Sequence, residues 1–590
     1  MNHLLLLKSF SRDRNLAWTT DALLLSALIL CHPVLWHINR RLAVTFPDSI
    51  AYLTLSKEIV HHGSLVLKQW GHVDTGLILP PVYPLFIALT RVFAGEGILA
   101  GELASSFCML LFTIPLYLFV REVSSRTTAM VCTLVFEWNQ YSLLYGTAIL
   151  SEAAFLFLLG WGIYLLPRTD SIADASKTHF FLLGFLCGLV TLTRHIGITL
   201  PITAVLFFLI THWRQHATWK STPTKLSAFF LLGFLPLFGG YNVLLLQQSG
   251  HLFPAQQYRM GLYEVFEQSP TSGPAQSANS SYMEQYRNRR ALRTLNTAGT
   301  EMTGHVLHDE DSPSPLVKLG RRILSDPLSW PKNVYTNLTH LHKYGGRTLV
   351  VLFLLSTALL MYLSIKDPAR KRAFLILPLY LAVYLVVLSY AGSAVRRYLF
   401  IVYPFALAII LIAVHSCAVF LLGKQRNRMI RLSILMAGAV LFALTPNTSI
   451  GVKTKPKYRE SSENPYQVCR QLITPGEPVF SLHPFDSYSL GGWYRTLPND
   501  SLPRVAAYAR KTGVKWMVLD NTGDQRDHEL YRNAPWLNNI ANLEKLYPGL
   551  VRLRCSVYNR FHVYEFHGDE QRTLNTPAPS SPSYLQKRNS

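Results

Sequence analysis

The chain has 590 residues, of which 49% are hydrophobic and only 15% are charged, and its mean hydropathy is positive. Soluble chains carry charges on about a quarter of their residues, so a soluble multidomain protein is disfavoured. Lys and Arg number 56 against 34 Asp and Glu, a net charge of +22. On a soluble protein this excess would indicate nucleic acid binding, whereas on a membrane protein basic residues collect in cytoplasmic connections.

Long segments without a charged side chain indicate a membrane protein. Residues 226–247, 348–365, 373–395 and 400–422 contain no Asp, Glu, Lys or Arg. Each is close to the ~20 residues that cross a hydrocarbon core. Polar residues from Glu137 onward interrupt the third of the predicted spans. We predict eleven transmembrane helices, at about 20–39, 99–120, 127–145, 149–166, 179–193, 196–213, 226–247, 347–365, 373–393, 398–422 and 429–446.

The basic residues between the spans set the orientation. With the N-terminus inside, the inner segments hold eighteen Lys and Arg residues, while the short outer connections hold only Arg194, Arg396 and Arg397. Positive charge favours the cytoplasmic side, so the N-terminus is predicted inside and the C-terminus outside. The first apolar stretch is followed by Cys31-His32-Pro33 rather than a cleavage pattern of small residues, and we expect it to remain as an anchor. The excess of positive charge then gives no reason to expect a nucleic acid partner.

The spans divide the chain into a membrane part and a part outside it. An all-α polytopic membrane domain over 1–446 has two long outer loops, 40–98 and 248–346. A small C-terminal α/β domain outside the membrane follows over 450–567. The last segment, 568–590, is rich in Ser, Pro and Thr, a composition typical of disorder.

Alternating hydrophobicity predicts the elements of the C-terminal domain. Strands are expected over 478–482 and 514–520, a helix over 502–512 between them, and a hairpin over 550–566. Cys469 and Cys555 are the cysteines of this domain. An oxidising compartment would permit a disulfide between them, and two separate thiols are the alternative.

Charged residues at the outer ends of the spans are the functional candidates. Asp48, Glu152, Arg194, Arg396 and Arg397 all fall on that side. A charge placed within the bilayer costs about 2.5–3.5 kcal/mol on insertion scales, so such residues commonly serve function. Each also has a structural interpretation: Asp48 and Glu152 as helix caps, and Arg396 or Arg397 as side chains that reach lipid phosphates.

The first outer loop contains two further patterns. Tyr52 follows Asp48 by one helical turn, so the two share a face, and Pro80-Pro81-Val82-Tyr83-Pro84 stiffens the chain before it re-enters the membrane. The same loop has four residues of metal-binding types, whose spacing fits no strong metal motif. A solvated loop is therefore preferred to a metal site for this set, which comprises His61, His62, His72 and Asp74.

Four segments together resemble a known family. These are FPDSIAYLTLSKEI with a following PPVYPL, ILSEAAFLFLLG, LTRHIGITLP and RRYLFIVYP. Their order over 18–446 resembles the membrane glycosyltransferases of the GT-C class, in particular the bacterial relatives of dolichyl-phosphate-mannose protein mannosyltransferase and of the lipid A aminoarabinose transferase. The resemblance implies a multi-pass enzyme of the bacterial inner membrane.

The resemblance also implies roles for individual residues. Asp48 matches the catalytic acidic residue of the family, and the donor is a sugar on a polyprenyl phosphate that enters from the bilayer. The acceptor is a protein or a glycolipid. Such a reaction needs a base for the acceptor hydroxyl and cations for the departing phosphate. The residues expected to bind donor phosphate or sugar are Arg194, Arg396, Arg397, Lys68, Glu152, Tyr52 and Tyr83.

Two departures from relatives and two other functions stay open. No Asp-x-Asp pair surrounds Asp48, so a divalent metal cofactor has no support, and His195 stands where relatives often have Pro. A transporter or flippase for lipid-linked sugars would instead place ionisable groups near the bilayer midplane in paired, broken helices. A scaffold without catalysis would tolerate replacement of Asp48.

Overall fold

The structure is a computed structural model, and it divides into two compact units. The first comprises 1–67, 77–269 and 311–456, and the second comprises 68–76, 270–310 and 457–590. We call them the membrane unit and the C-terminal unit. The described residues are 26, 30, 32–34, 36, 47–67, 77–169, 177–213, 222–249, 294–295, 302–303, 329–340, 342–366, 371–390, 396–423, 426–444, 465–520, 534–557 and 561–567.

The described part of the membrane unit is almost entirely helical. A two-residue hairpin, β1 (Val66–Leu67) with β2 (Leu77–Ile78), joins the first two helices. The helices are α1 (Pro47–His62), α2 (Val82–Ala94), α3 (Ile98–Val123), α4 (Arg126–Glu137), α5 (Gln140–Thr147), α6 (Glu152–Leu165), α7 (Lys177–Thr193), α8 (Thr199–Trp213), α9 (Thr222–Ser249), α10 (Ser329–His340), α11 (His342–Lys366), α12 (Lys371–Tyr390), α13 (Arg396–Phe400), α14 (Tyr403–Leu422) and α15 (Asn427–Leu444).

Three helices among the described residues are long and apolar enough to cross a membrane, over Ile98–Val123, Ala228–Gln247 and Tyr398–Leu422. A fourth span is possible if α5 and α6, which meet at an angle of 111°, count as one broken span. The remaining apolar helices are shorter, and residues 20–39 lie mostly outside the described residues. The number of eleven spans therefore stays a prediction.

The surface of the membrane unit carries many exposed apolar side chains. Leu231, Leu232 and Leu235 on α9 and Leu354 and Leu355 on α11 each expose about half of their surface. Soluble proteins rarely expose apolar patches of this extent. Hydrocarbon, in contrast, is a favourable environment for these side chains, and the helices are those of a membrane-embedded protein.

In lipid there is no hydrophobic force that drives helices together, so membrane helices associate through close packing. A Cβ atom placed on Gly184 of α7 would come within 2.0 Å of the carbonyl oxygen of Phe230 on α9. One on Gly233 of α9 would come within 2.2 Å of the carbonyl oxygen of Phe181. The two glycines thus allow α7 and α9 to approach backbone to backbone.

Aromatic rings fill the space among α3, α4, α5, α13 and α14. Phe112 lies edge-on to Phe136, with ring centroids 5.1 Å apart, and Tyr145 stacks on Phe400 at 4.4 Å. Asn139, at the break between α4 and α5, donates a hydrogen bond to the Tyr403 hydroxyl at 2.9 Å. The Asn139 amide at the polar break in the third predicted span therefore has a partner inside the bundle.

The C-terminal unit contains a five-stranded mixed sheet. Its strands are β5 (Pro478–Ser481), β6 (Trp493–Thr496), β7 (Trp516–Asp520), β8 (Val551–Val557) and β9 (Phe561–Phe566), in the spatial order β6-β5-β7-β9-β8. β5 pairs in parallel with β6 and β7, and β9 is antiparallel to β7 and β8. The described helices of this unit are α16 (Pro465–Cys469), α17 (Pro484–Ser489), α18 (Leu502–Lys511) and α19 (Leu543–Leu546).

Both faces of the central strand β7 are buried. Trp516 and Val518 pack into one apolar core, and Met517 and Leu519 pack into the other. This alternation is the period of two that a strand imposes on its side chains. Leu295, on a short hairpin of β3 (Thr294–Leu295) and β4 (Met302–Thr303), belongs to the second of these cores.

A disulfide joins Cys469 of α16 to Cys555 of β8, with Cα atoms 5.9 Å apart. This resolves the pairing that the sequence left open. The elements expected from the sequence are observed at Pro478–Ser481, Leu502–Lys511 and Trp516–Asp520, and strands occupy the expected hairpin. Strand β6 was not predicted, because its four residues carry too short an alternation to stand out.

Candidate active site

Arg194 leaves the helical path at the end of α7. Its backbone is extended, with φ −152° and ψ 142°, and a 3-10 turn over His195–Ile198 follows. Gly197 makes the turn possible, because a Cβ atom there would come within 2.2 Å of the carbonyl oxygen of Val190. The break allows the side chain of Arg194 to turn into the unit, where only 8% of the residue is exposed.

Ser151 and Glu152 lie at the second break, between α5 and α6. Glu152 is in the first turn of α6 and is fully buried, and Ser151 precedes it. The N-terminus of a helix carries a partial positive charge. The Glu152 carboxyl therefore lies at the positive end of the α6 dipole.

The two breaks meet in a buried ion pair. The Arg194 Nη1 atom lies 2.6 Å from Glu152 Oε1 and donates a hydrogen bond to Ser151 Oγ at 3.0 Å. The guanidinium carbon of Arg194 also lies 4.7 Å from the ring centroid of Tyr398, a distance typical of a cation–π contact. Tyr384 on α12 donates a hydrogen bond to the Tyr398 carbonyl at 2.8 Å and fixes this stretch of backbone.

Tyr52 connects this pair to the helix that contains Asp48. The Tyr52 hydroxyl lies 3.2 Å from Ser151 Oγ. Burial, together with the Asp48 carboxylate, raises the pKa of Tyr52 to about 12 against the lowering effect of Arg194. Asp48 is half-buried in the first turn of α1, one turn before Tyr52.

Tyr83 extends the site towards α2 and α3. Its ring lies edge-on to the ring of Tyr52, with centroids 5.0 Å apart. Its hydroxyl lies 2.6 Å from Ser105 Oγ on α3, and both groups are buried. The two tyrosines thus form an aromatic wall beside the acidic end of α1.

The structure brings together most of the residues that were predicted to form the site. Tyr52 and Arg194 both contact Ser151, and Arg194 pairs with Glu152. Asp48 lies one turn before Tyr52 on α1, and Tyr83 borders the set. Lys68 lies outside the described residues. The backbones of Arg396 and Arg397 open α13, directly before Tyr398, and their side chains lie outside what the structure describes.

Sequence reasoning missed four residues of this region. Ser151 and Tyr398 lie inside the segments ILSEAAFLFLLG and RRYLFIVYP, so their positions beside Glu152 and Arg397 were an available signal. Ser105 and Tyr384 lie within apolar helices and show no such signal.

A second polar cluster is buried elsewhere in the membrane unit. His32 contacts Glu137 through Nδ1, and its Nε2 lies 2.9 Å from Ser106 Oγ. All three residues are less than a tenth exposed. The cluster joins the stretch around residue 32 to α3 and to the end of α4. Within the described part of the chain, no three His, Cys, Asp or Glu side chains converge as a metal site would require.

Residues 79–238 match the family model described as dolichyl-phosphate-mannose-protein mannosyltransferase. No curated protein sequence matches the chain.

Solved structures share the fold. The ArnT protein from Cupriavidus metallidurans, bound to undecaprenyl phosphate, is 12% identical with a TM-score of 0.52, and the match covers 92% of this chain and 97% of that one. The oligosaccharyltransferase of Archaeoglobus fulgidus in its apo form is 13% identical with a TM-score of 0.50, covering 92% and 75%. The resemblance to GT-C class membrane glycosyltransferases is thereby confirmed.

Proposed function

We propose that the protein transfers a sugar from a polyprenyl-phosphate donor to an acceptor hydroxyl on the extracytoplasmic side of the membrane, with inversion at the anomeric carbon. The observation that carries the proposal is the arrangement of Tyr52, Glu152 and Arg194. Tyr52 and Arg194 both contact Ser151 Oγ, and Arg194 pairs with Glu152. Asp48 lies one turn before Tyr52. These residues come from α1, from the start of α6 and from the end of α7. Such a convergence is typical of a site in which charges act on one substrate.

Asp48 is the proposed general base. The acceptor oxygen attacks the anomeric carbon, its proton passes to the Asp48 carboxylate, and the bond between that carbon and the phosphate oxygen breaks. The phosphate keeps the electron pair and leaves as a stable anion. No general acid is then needed, unlike in glycosidases, which place two carboxyl groups around the bond.

The net charge of the described site residues indicates that further cations are needed to bind a donor phosphate. Asp48 and Glu152 contribute two negative charges and Arg194 one positive charge, and Arg194 is already paired with Glu152. A donor phosphate would meet a net negative site if these were its partners. We therefore assign the donor phosphate to Arg194 together with Arg396, Arg397 and Lys68, and we assign the sugar hydroxyls to Tyr52, Tyr83 and Glu152.

The proposed donor class and membrane side have separate support. The ArnT structure of similar fold holds undecaprenyl phosphate, which makes a polyprenyl phosphate the first donor class to test. The disulfide in the C-terminal unit fits an oxidising, extracytoplasmic compartment. A protein or a glycolipid is the proposed acceptor, and the inner membrane of a bacterium the proposed location.

The test is donor turnover by purified full-length protein in detergent. Radiolabelled polyprenyl-phosphate sugars are incubated with candidate acceptors, and the release of polyprenyl phosphate is measured for the wild type and for Asp48→Asn. We expect the variant to lose at least about a hundredfold in rate, the contribution typical of a general base. Glu58→Gln is the matched control, because Glu58 lies on the same helix and its side chain pairs with His62, 3.4 Å away.

Wild-type turnover by Asp48→Asn, with normal expression, would refute Asp48 as the base. The alternative of a transporter is favoured by one observation, the buried His32 and Glu137 pair, because buried ionisable groups commonly mark transport pathways. A transporter moves labelled lipid between the leaflets of a vesicle and releases no polyprenyl phosphate. Release that depends on Asp48 therefore decides for the transferase.

A further inference from the structure

One arginine of the membrane unit is buried outside the site described above. Arg91 lies on α2, where only 7% of its surface is exposed, while its neighbours Leu89, Val92 and Phe93 are 60%, 76% and 84% exposed. The helix thus directs its one arginine inward and its apolar side chains outward. Burial of a guanidinium is costly unless its donors are satisfied.

The Arg91 guanidinium donates three hydrogen bonds to the elements around it. Nε donates to Ser56 Oγ at 2.8 Å, and Nη2 donates to the Leu53 carbonyl at 2.9 Å, both on α1. Nη1 donates to the Glu96 carbonyl at 2.7 Å, in the turn between α2 and α3. The planar fork of arginine suits several acceptors at once, and here it joins α1, α2 and the start of α3.

The attachment lies on the helix that contains Asp48. Ser56 is fully buried and donates a hydrogen bond of its own to the Leu53 carbonyl at 2.7 Å. Nearer to Asp48, α1 is held by the Tyr52 hydroxyl against Ser151 and by the Tyr52 ring against Tyr83. Two points of attachment, about one turn apart, define the direction of the helix. The Arg91 hydrogen bonds thus add a polar attachment of α1 to the packing of its buried side chains Ile50, Leu53 and Leu55.

We propose that Arg91 is a positioning residue, which holds α1 at the angle that aims the Asp48 carboxylate at the acceptor hydroxyl. The inference rests on the proposed function of Asp48 and adds a residue that touches neither substrate. A displacement of about 1 Å in a reacting group can reduce the rate about a hundredfold. The expected effect therefore falls on kcat, and the KM of the donor should change little.

The variants are Arg91→Met, which removes all three hydrogen bonds, and Arg91→Lys, which retains a positive donor. We expect Arg91→Met to lower kcat by about tenfold to a hundredfold, with the donor KM within about twofold of the wild type. Arg91→Lys should recover part of the loss. If Arg91→Met does not accumulate, Ser56→Ala takes its place, because it removes one of the acceptors and should give a smaller loss of kcat.

Glu96→Gln is the matched control. Its side chain joins the same segments at the surface, 2.7 Å from His61 and 3.4 Å from Lys57, but is 57% exposed. The variant keeps the backbone carbonyl that Arg91 uses, so kcat should stay at the wild-type value. A loss equal to that of Arg91→Met would show that any disturbance of this turn reduces the rate, which would overturn the specific role of Arg91.

A double-mutant cycle with Asp48→Glu separates positioning from a general effect on the fold. The longer side chain retains a base but moves the carboxylate, so Arg91→Met should cost less in that background than in the wild type. Equal losses in both backgrounds, an unchanged kcat in Arg91→Met or a change confined to KM would each overturn the inference. If Asp48→Asn itself keeps full activity, the proposed role of Asp48 as the base fails, and that result is read independently of Arg91.

Discussion

Glu152 and Arg194 form a buried ion pair inside a mostly apolar unit. Their side chains are 0% and 9% exposed, respectively. Removing one partner of a buried pair leaves the other charge without compensation. We expect Glu152→Gln to destabilise the protein by about 3–5 kcal/mol and to reduce transfer, because Arg194 loses the carboxylate that orients it. The measurement is the melting temperature of the protein in detergent, together with the donor turnover rate.

The control for this pair is the double variant Glu152→Gln with Arg194→Gln. It removes both charges, so it should melt above Glu152→Gln alone even though it transfers no sugar. A loss of stability in the double variant equal to the sum of the losses in the two single variants would contradict direct charge compensation.

Glu565 in the C-terminal unit gives a prediction for pH. Burial raises the pKa of the Glu565 carboxyl, but hydrogen bonds from Arg554 and Lys515 outweigh burial, so the pKa is lowered below its ordinary value of 4.5. A carboxyl with a lowered pKa in the folded state stabilises at pH values above its unfolded pKa. That contribution is lost as the pH falls through the lowered folded value.

For Glu565, the full chain is heated at a series of pH values around 4.5. Unfolding is monitored by the proteolysis of the C-terminal unit. We expect Glu565→Gln to be less stable than the wild type at neutral pH, and the difference to shrink in acid. A difference that is constant across the series would rule out the ion pairs as its cause.

The sequence pointed to charged residues and to Tyr52 and Tyr83 as site candidates, but not to Ser151 or Tyr398. Asp48, Glu152 and Arg194 were identifiable because a charge at the end of an apolar span needs an explanation. Tyr398 and Ser151 contribute through a ring face and a hydroxyl, which are common within spans and therefore carry little information. The pairing of Glu152 with Arg194 needs three-dimensional structure, since two breaks in different helices create it.

At the scale of helices, the α7 and α9 contact depends on the absence of a side chain at Gly184. We expect Gly184→Ala to separate the helices and to destabilise the membrane unit, because the added Cβ would meet the backbone of Phe230. Gly239→Ala on α9 is the control, since a Cβ atom there meets nothing within 4 Å. Alanine is otherwise the better helix former.

The two glycine variants are compared by their melting temperatures in detergent. Gly184→Ala should melt below the wild type, and Gly239→Ala should melt at or slightly above it. Equal melting temperatures for the two variants would show that α7 and α9 can shift without loss, contrary to the close packing described for them.

Hydrophobicity alone was enough to predict many of the helices. Predicted spans such as 99–120 and 398–422 correspond to helices at 98–123 and 398–422. The third predicted span, 127–145, is two helices with a break at Trp138 and Asn139. Hydropathy averages over such a break, which is stabilised by the hydrogen bonds that Asn139 donates to Tyr403 and accepts from the Tyr141 N–H.

At the scale of the whole molecule, the disulfide between Cys469 and Cys555 joins positions 86 residues apart. A crosslink of this span restricts the unfolded chain, which in the chain-entropy account is worth about 4.6 kcal/mol. We expect the double variant Cys469→Ser with Cys555→Ser to make the C-terminal unit sensitive to proteases at lower temperature. The effect should be reproduced by a reducing agent in the wild type.

Cys417→Ser is the control for the disulfide, because Cys417 is a free cysteine in α14. It should leave protease sensitivity unchanged with and without reducing agent. Wild-type protein that resists proteolysis equally well when reduced would mean that packing of the two apolar cores is sufficient.

The burial of Leu295 in a core of the C-terminal unit has a consequence for biosynthesis. Leu295 packs with residues such as Val505 and Tyr564, and Arg504 donates a hydrogen bond to its carbonyl. The ribosome makes Leu295 about two hundred residues before these partners, at rates of about 5–20 residues per second. The hairpin must therefore wait for ten seconds or more while the intervening helices insert, and this unit can complete its folding only when the end of the chain arrives.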